Sequence, residues 1–279
     1  MKDGYKKQVF ITGASSGIGK ACALLFAQNG YQVTGVSRHC KEGTKSFEGG
    51  GSLTMQRLDV TDEEAVADFV AGMPGIDIAV LSAGYGIGGS VEDIPMDQVR
   101  AQMEVLYFAT VNLCRQMLPK MREQGGGYII QIGSVAGRVS IPMQAHYSAA
   151  KYALEAYIDA LRLEMEPYGI RATIVEPGDT RTAFTDSRKT FYKEGSVHNE
   201  QVRRSIETME RDERNGYSAA KVAGVVYALC RKKNPPARVA VGLKYKGAVL
   251  LVKFLPDRMR EKIIRGIYIK TEKKENASE

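Results

Sequence analysis

The sequence predicts an α/β domain built on a parallel sheet with helices on both faces. Three observations point there. Short Val- and Ile-rich runs alternate with helical segments over residues 1–180. Those runs are apolar nearly throughout, not at every second position. A glycine-rich turn joins the first run to the first helical segment. Strands covered on both faces read as continuous apolar runs, and strand–helix alternation supplies the crossovers that parallel strands need.

In chain order, strands are expected at Gln8–Gly13, Gln32–Arg38, Leu53–Val60, Ile76–Gly84, Tyr128–Ser134 and Arg171–Gly178. Helices are expected near 18–29, 62–72, 95–121 and 145–168. Gly49-Gly50-Gly51 and Gly125-Gly126-Gly127 read as loops. Residues 183–216 break the rhythm, being polar with many charges of both signs, and read as an irregular or helical surface insertion. A helix over 217–233 and a short strand Arg238–Gly242 follow. The extension 243–279 holds an apolar run Ala248–Val252, a break at Pro256, and a basic amphipathic stretch. In that stretch Met259, Ile263, Ile264 and Ile267 stand at helical spacing among Arg258, Arg260, Lys262 and Arg265. Lys273–Glu279 is expected to fray. No internal repeat or linker divides the chain, so residues 1–279 are read as one domain.

Composition excludes other classes. The chain has 279 residues, 44% hydrophobic and 25% charged, which is incompatible with global disorder or a collagen-like repeat. No apolar run reaches the roughly 18 residues of a spanning helix. Met1–Tyr5 leads directly into the first strand, so no signal peptide is expected. Cys22, Cys40, Cys114 and Cys230 lie far apart without a CxxC, and His39 and His198 have no metal-ligand pattern. A reduced, cytoplasmic setting without a metal site is the expectation. The net charge of +7 is unevenly spread. Residues 1–215 carry 24 basic and 27 acidic side chains; residues 216–279 carry 15 and 5.

The turn Thr12-Gly13-Ala14-Ser15-Ser16-Gly17-Ile18-Gly19 sits between a strand and a helix. Gly13 allows a sharp exit from the strand, Gly17 a close approach to a pyrophosphate, and Gly19 tight helix–sheet packing. The helix N-terminus then offers free N–H groups to phosphate oxygens. The second strand ends Val36-Ser37-Arg38, without the acid that meets a free ribose 2′-OH. Arg38 presents instead a permanently charged fork suited to a 2′-phosphate, which points to NADP(H). Asp59-Val60 closes the third strand, where an Asp can meet an adenine amino group. Ser82-Ala83-Gly84 closes the fourth with small residues that admit a ligand close to the backbone.

Ser134 ends the fifth strand; Tyr147 follows, with Lys151 four positions beyond it. Residues i and i+4 share a helix face, so Tyr147 and Lys151 are neighbours. A free phenol has a pKa of about 10, and a neighbouring ammonium, aided by an oxidised nicotinamide, is expected to lower it. Ser134 can hydrogen-bond a carbonyl or alcohol oxygen and fix it beside the phenol.

With these residues in this order, the chain resembles the short-chain dehydrogenase/reductase family. The matching segments are Thr12–Gly19, Asp59, Ala83-Gly84, Ser134, Tyr147–Lys151 and Pro177-Gly178-Asp179-Thr180-Arg181-Thr182. The resemblance implies a single Rossmann-type, doubly wound domain with about seven parallel strands, and hydride transfer between a nicotinamide and an alcohol or carbonyl. It implies that Tyr147 is the general acid/base, that Lys151 binds the nicotinamide ribose and tunes Tyr147, and that Ser134 orients the substrate. Pro177, Gly178, Thr180 and Thr182 would line the nicotinamide end. Two departures stand out. Leu81-Ser82 replaces a usual Asn-Asn pair, and Leu106 occupies the place of an active-site asparagine in the long central helix. Asn112 falls on a different helix face.

The resemblance makes 183–216 a substrate lid, with Phe184, Phe191 and Tyr192 as apolar contacts. Tyr85–Ile94 and Val139–Gln144 would supply other walls. The pattern is most similar to hydroxysteroid and retinol dehydrogenases, which implies a bulky hydrophobic alcohol or ketone, with a hydroxysteroid or bile acid as the leading expectation. A reductase of retinoid, fatty aldehyde or acyl carbonyls is the second reading, and a catalytically weak NADPH-binding protein the third. The family implies a homodimer or homotetramer. For the basic extension, no nucleic-acid motif is present, and a peripheral membrane contact through Lys244–Tyr268 stands beside closure over the substrate mouth, packing in an oligomer or a solvated face.

Overall fold

Alternation in the first strand sets the architecture. Val9 and Ile11 belong to one buried cluster, Phe10 to another, so one strand feeds two cores on opposite faces of the sheet. A computed structural model describes residues 7–269; the expectations for Met1–Tyr5 and Lys273–Glu279 lie outside the described residues.

The strands are β1 (Gln8–Thr12), β2 (Gln32–Ser37), β3 (Gly43–Ser46), β4 (Ser52–Arg57), β5 (Ile78–Leu81), β6 (Ile87–Gly88), β7 (Gly127–Ile132), β8 (Ile170–Glu176), β9 (Thr180–Arg181), β10 (Lys189–Thr190), β11 (Tyr217–Ser218) and β12 (Arg238–Ala240). The helices are α1 (Gly17–Gln28), α2 (Glu63–Gly72), α3 (Met96–Met103), α4 (Ala109–Glu123), α5 (Ala145–Met165), α6 (Phe184–Ser187), α7 (Asn199–Arg214), α8 (Ala219–Leu229), α9 (Leu243–Phe254) and α10 (Asp257–Tyr268).

The central sheet runs β12-β8-β7-β5-β1-β2-β4-β3. All its pairings are parallel except β3 with β4. The seven expected parallel strands are therefore joined by an antiparallel eighth. Sequence reasoning passed over β3 because Gly-Thr-Lys-Ser is polar and every residue in it is exposed. An edge strand need not bury a side chain, so it carries no hydrophobic signal. The Gly49-Gly50-Gly51 loop is the turn of that hairpin.

Helices α1 and α8 cover one face through Cys22, Phe26, Val222 and Val226. On the other face α2, α4 and α5 pack through Val66, Val70, Leu113, Met117, Leu154 and Ile158. Burying each such aliphatic side chain stabilises the fold by about 1.5–3 kcal/mol. The chain leaves β1 toward β2 on one side and later returns to place β5 on the other. That reversal opens a crevice at the carboxyl ends of β1 and β5, where doubly wound sheets bind ligands.

Between α3 and α4, Glu104–Phe108 forms a π-helical turn, with the Ala109 N–H donating to Glu104 O. Single π turns of this kind are frequent at functional sites. The insertion 183–216 contains α6, the short β10 paired with β6, and α7.

Candidate active site

The ends of β1, β2, β4, β5, β7 and β8 converge on one cleft, with a cavity of about 430 Å³. At its β1 end, Gly13 has φ of +66°, and a Cβ there would stand 2.9 Å from Ser82 O. A Cβ on Gly19 would stand 2.3 Å from Gly13 O, so Gly19 holds α1 against the turn without lining the cleft. Ser15, Ser16, Gly17 and Ile18 do line it. Ser16 precedes α1 without a side-chain cap, which leaves the first-turn N–H groups available to phosphate oxygens. Thr12 Oγ1 accepts from Ser82 N and Ala83 N at 2.9 and 3.1 Å, tying the β5 exit to β1.

Arg38, Asp59, Val60, Ala83 and Gly84 line the same cleft. Arg38 makes no hydrogen bond or ion pair among the described residues, so its fork is free for an anion. Arg57 and His39 stand beside it in an adjoining recess with Leu58 and Asp59. Sequence reasoning missed Arg57. The signal lay in the pairing of β2 with β4, which sets Ser37 opposite Arg57 and so brings two arginines to one sheet edge. The turn, the small residues and the free arginine fit a dinucleotide carrying a 2′-phosphate.

At the far end, Ser134, Tyr147 and Lys151 come together. Tyr147 lies on α5 and is buried against Leu106, Ala136 and Ala150. The Ser134 hydroxyl faces the phenol and favours its ionised form, and Ser134 Oγ accepts from Ala136 N at 3.0 Å. Lys151 Nζ sits 5.6 Å from the Tyr147 ring centroid and donates to Ile132 O at 2.9 Å. Burial pushes the Tyr147 phenol up to about 12, the Ser134 hydroxyl opposing it. Desolvation of the phenolate outweighs the favourable partners; the lowering expected from Lys151 is tied to an oxidised nicotinamide. Burial also brings Lys151 down to about 8, with the Glu155 carboxyl pulling the other way.

Pro177, Gly178, Thr180 and Thr182 follow β8 along the same cleft. The Tyr245 ring lies where a Cβ on Gly178 would be, 2.2 Å from its Cε1. Tyr245 donates to Asp179 Oδ2 and accepts from Asp179 N. Asp179 thus anchors α9. Of the anticipated lid contacts, Phe184 lines the cleft, with its ring centroid 5.7 Å from that of Tyr147. Phe191 and Tyr192 do not, and Tyr192 is 53% exposed. They follow β10, whose pairing with β6 directs that segment along the outer side of the β5 loop. Ile141, Gln144 and Tyr85 supply walls from the two anticipated loops.

Leu106 lies in the π turn, 2% exposed, and lines the cleft beside Tyr147. Asn112 is buried away from the cleft, its Oδ1 accepting from Gln116 Nε2. Three further wall residues, Glu213, Tyr245 and Tyr268, fall in the expected lid 183–216 and in the extension but were not singled out individually. They come from α7, α9 and α10, remote in sequence from every motif, and no local pattern announces them.

Comparison with known proteins agrees with this geometry. The family model described as "short chain dehydrogenase" matches residues 7–193. A 3-ketodihydrosphingosine reductase of Bacteroides thetaiotaomicron is 37% identical, over 93% of this chain and 97% of that protein. An NADPH-dependent 3-dehydrocapnine reductase of Ornithobacterium rhinotracheale is 34% identical, over 91% of this chain and 94% of that one. Among solved structures, a short-chain dehydrogenase from Streptomyces avermitilis superposes with a TM-score of 0.79 at 27% identity, covering 95% of this chain and 99% of that one. The family model spans both the glycine turn and the Tyr147–Lys151 helix, and the relatives match nearly end to end, so the chain belongs to the short-chain dehydrogenase/reductase family.

Proposed function

We propose that this short-chain dehydrogenase/reductase uses NADPH to reduce a ketone on a long-chain amphipathic lipid to a secondary alcohol, with Tyr147 as proton donor. One observation carries the reading. Burial keeps the Tyr147 phenol protonated at neutral pH, beside an apolar wall of Leu106, Phe184 and Tyr268. A protonated phenol is prepared to give a proton to a carbonyl oxygen, which is the reductive direction. The wall suits an alkyl chain. Relatives of near-full-length match are named for the reduction of 3-ketodihydrosphingosine and 3-dehydrocapnine, which favours a ketolipid.

NADPH, when bound, supplies the hydride that reduces the carbonyl carbon. Gly13, Ser15, Ser16, Gly17 and Ile18 would hold its pyrophosphate and Arg38 its 2′-phosphate. Asp59, Val60, Ala83 and Gly84 would flank the adenosine side, and Pro177, Gly178, Thr180 and Thr182 the nicotinamide. Ser134 orients the carbonyl oxygen. Tyr147 gives its proton to that oxygen as negative charge develops there. The Lys151 ammonium stabilises the phenolate left behind, and the Ile132 carbonyl keeps Nζ beside the ring. Leu106 cannot hydrogen-bond, so proton return to Tyr147 runs by Lys151 without a side-chain donor from the central helix. A homodimer or homotetramer, and peripheral membrane contact through the C-terminal stretch, belong to the same proposal.

NADPH oxidation against a substrate panel tests it. A long-chain 3-keto amine is expected to be turned over with kcat/KM at least about tenfold above a steroid ketone, since lost apolar contacts cost about that much. A steroid ketone ahead of the ketolipid would restore the hydroxysteroid expectation. NADPH binding with no turnover of any ketone or aldehyde would leave a nucleotide-binding protein.

A further inference from the structure

Helices α9 and α10 each carry two apolar stripes where packing on the domain requires one. On α9, Tyr245, Val249 and Val252 are half-buried against the body, while Leu243, Leu250, Leu251 and Phe254 are 84%, 58%, 54% and 78% exposed. On α10, Ile264 and Tyr268 are half-buried, and Tyr268 packs on the Val202, Ile206 and Met209 cluster of α7. Met259, Ile263 and Ile267, at i, i+4 and i+8, are 54%, 47% and 43% exposed. Only Leu255 and Pro256 separate the two helices. Scattered exposed apolar residues need no explanation, but seven on two consecutive helices form a surface that water does not favour.

Charge identifies what covers it. Residues 243–269 carry seven basic side chains against Asp257 and Glu261 alone. Lys244 Nζ lies 3.9 Å from Asp179 Oδ2 and Arg260 pairs with Asp257 one turn away; the other five make no hydrogen bond or ion pair among the described residues. An apolar stripe set among cations of which most are unpaired matches the acyl–headgroup boundary of an anionic bilayer, where both terms are favourable together. A second copy of the same face would bring like charges together. No helix among the described residues is long and apolar enough to cross a membrane, so the contact is interfacial.

We propose that the outer stripes of α9 and α10 dock this protein on anionic lipid bilayers and that docking governs access to the reaction cleft. The second half rests on the ketolipid reading. The same two helices supply Tyr245 and Tyr268 to the cleft wall, one bonded to Asp179 beside the nicotinamide-end turn, the other seated on α7. A surface that pulls on these helices therefore acts on the wall through which an alkyl chain enters.

Flotation of the full-length protein with vesicles tests docking without reference to activity. Vesicles of phosphatidylcholine with about 30% phosphatidylglycerol are expected to bind at least tenfold more protein than pure phosphatidylcholine, with binding reduced at high salt. The variant L250S/F254S/I263S changes only exposed side chains. It is expected to lose vesicle binding while keeping its circular dichroism spectrum and its NADPH affinity. A lysine variant, K246Q/K253Q/K262Q, should lose the preference for the anionic vesicles. Wild-type protein that fails to float with anionic vesicles would overturn the proposal. So would a serine variant that floats as before but falls to a smaller oligomer, which would make this face a subunit interface. Access is read separately. With a water-soluble short-chain ketone, anionic vesicles should leave kcat/KM unchanged; with a vesicle-borne ketolipid they should raise it at least tenfold for wild type and not for the serine variant. Flotation without that rise would refute the coupling, and absent turnover of any ketolipid would refute the substrate reading while leaving docking intact.

Discussion

Tyr147 and Lys151 are placed by helical spacing, but their chemistry is set by burial. The phenol is pushed up to about 12 and the ammonium brought down to about 8, both chiefly by desolvation. Tyr147→Phe removes the proposed proton donor and little else. It is expected to lower kcat by about 10²–10⁴, the range for a positioned acid, with NADPH affinity by fluorescence titration unchanged. Arg38 is proposed to carry coenzyme choice, since its guanidinium has no competing hydrogen bond or ion pair among the described residues. Arg38→Asp is expected to lower kcat/KM for NADPH at least about tenfold and raise it for NADH, measured with one ketone under both coenzymes. At this scale the sequence was legible wherever chemistry demands a residue type at a fixed spacing. The glycine turn, Ser134, Tyr147, Lys151 and Arg38 all meet in one cleft. Glu213, Tyr245 and Tyr268 lie in the expected lid and extension, but their places in the wall were illegible because separate helices deliver them. The burial of Tyr147 was illegible because burial is a property of the fold, not of the i, i+4 pair.

Among the elements, α5 joins the site to a buried ionic cluster. One turn past Lys151, Glu155 meets Arg238 at 2.7 Å and lies near Arg138 and Glu176. Burial and the neighbouring Glu176 push the Glu155 carboxyl up to about 7, against the pull of the arginines. An acid with a raised folded pKa binds more protons folded than unfolded. Its stabilising contribution is full below the unfolded value of about 4.5 and is lost as pH rises through about 7. Urea titrations between pH 4.5 and 7.5 are therefore expected to show part of the stability declining with pH, and Glu155→Gln should flatten that part. A variant with the wild-type slope would place the titration elsewhere. The parallel strands were readable from continuous apolar runs. The edge strand β3 was not, because it buries nothing, and neither was the π turn at Glu104–Phe108, whose extra residue per turn leaves no compositional mark.

At the level of the whole molecule, the charge asymmetry divides the labour. Residues 1–215 carry slightly more acid than base, and half of the C-terminal cationic excess lies on α9 and α10, which both wall the cleft and face outward. Ligand linkage gives a global test of the nucleotide site. NADPH at about one hundred times its Kd should raise unfolding stability by about 2.7 kcal/mol, and the same concentration of NADH by markedly less. Scanning calorimetry of wild type and Arg38→Asp reads both, and equal shifts for the two nucleotides would remove Arg38 from the account.

The central claim is hydride transfer to a ketone with Tyr147 supplying the proton. It is tested most directly by reducing a long-chain 3-keto amine with NADPH deuterated at one or the other face of nicotinamide C4. The account predicts one deuterium on the carbinol carbon of the product from one labelled face and none from the other, and at least a hundredfold slower appearance with Tyr147→Phe. Product without label from either face, or label appearing at the wild-type rate in the phenylalanine variant, would contradict it.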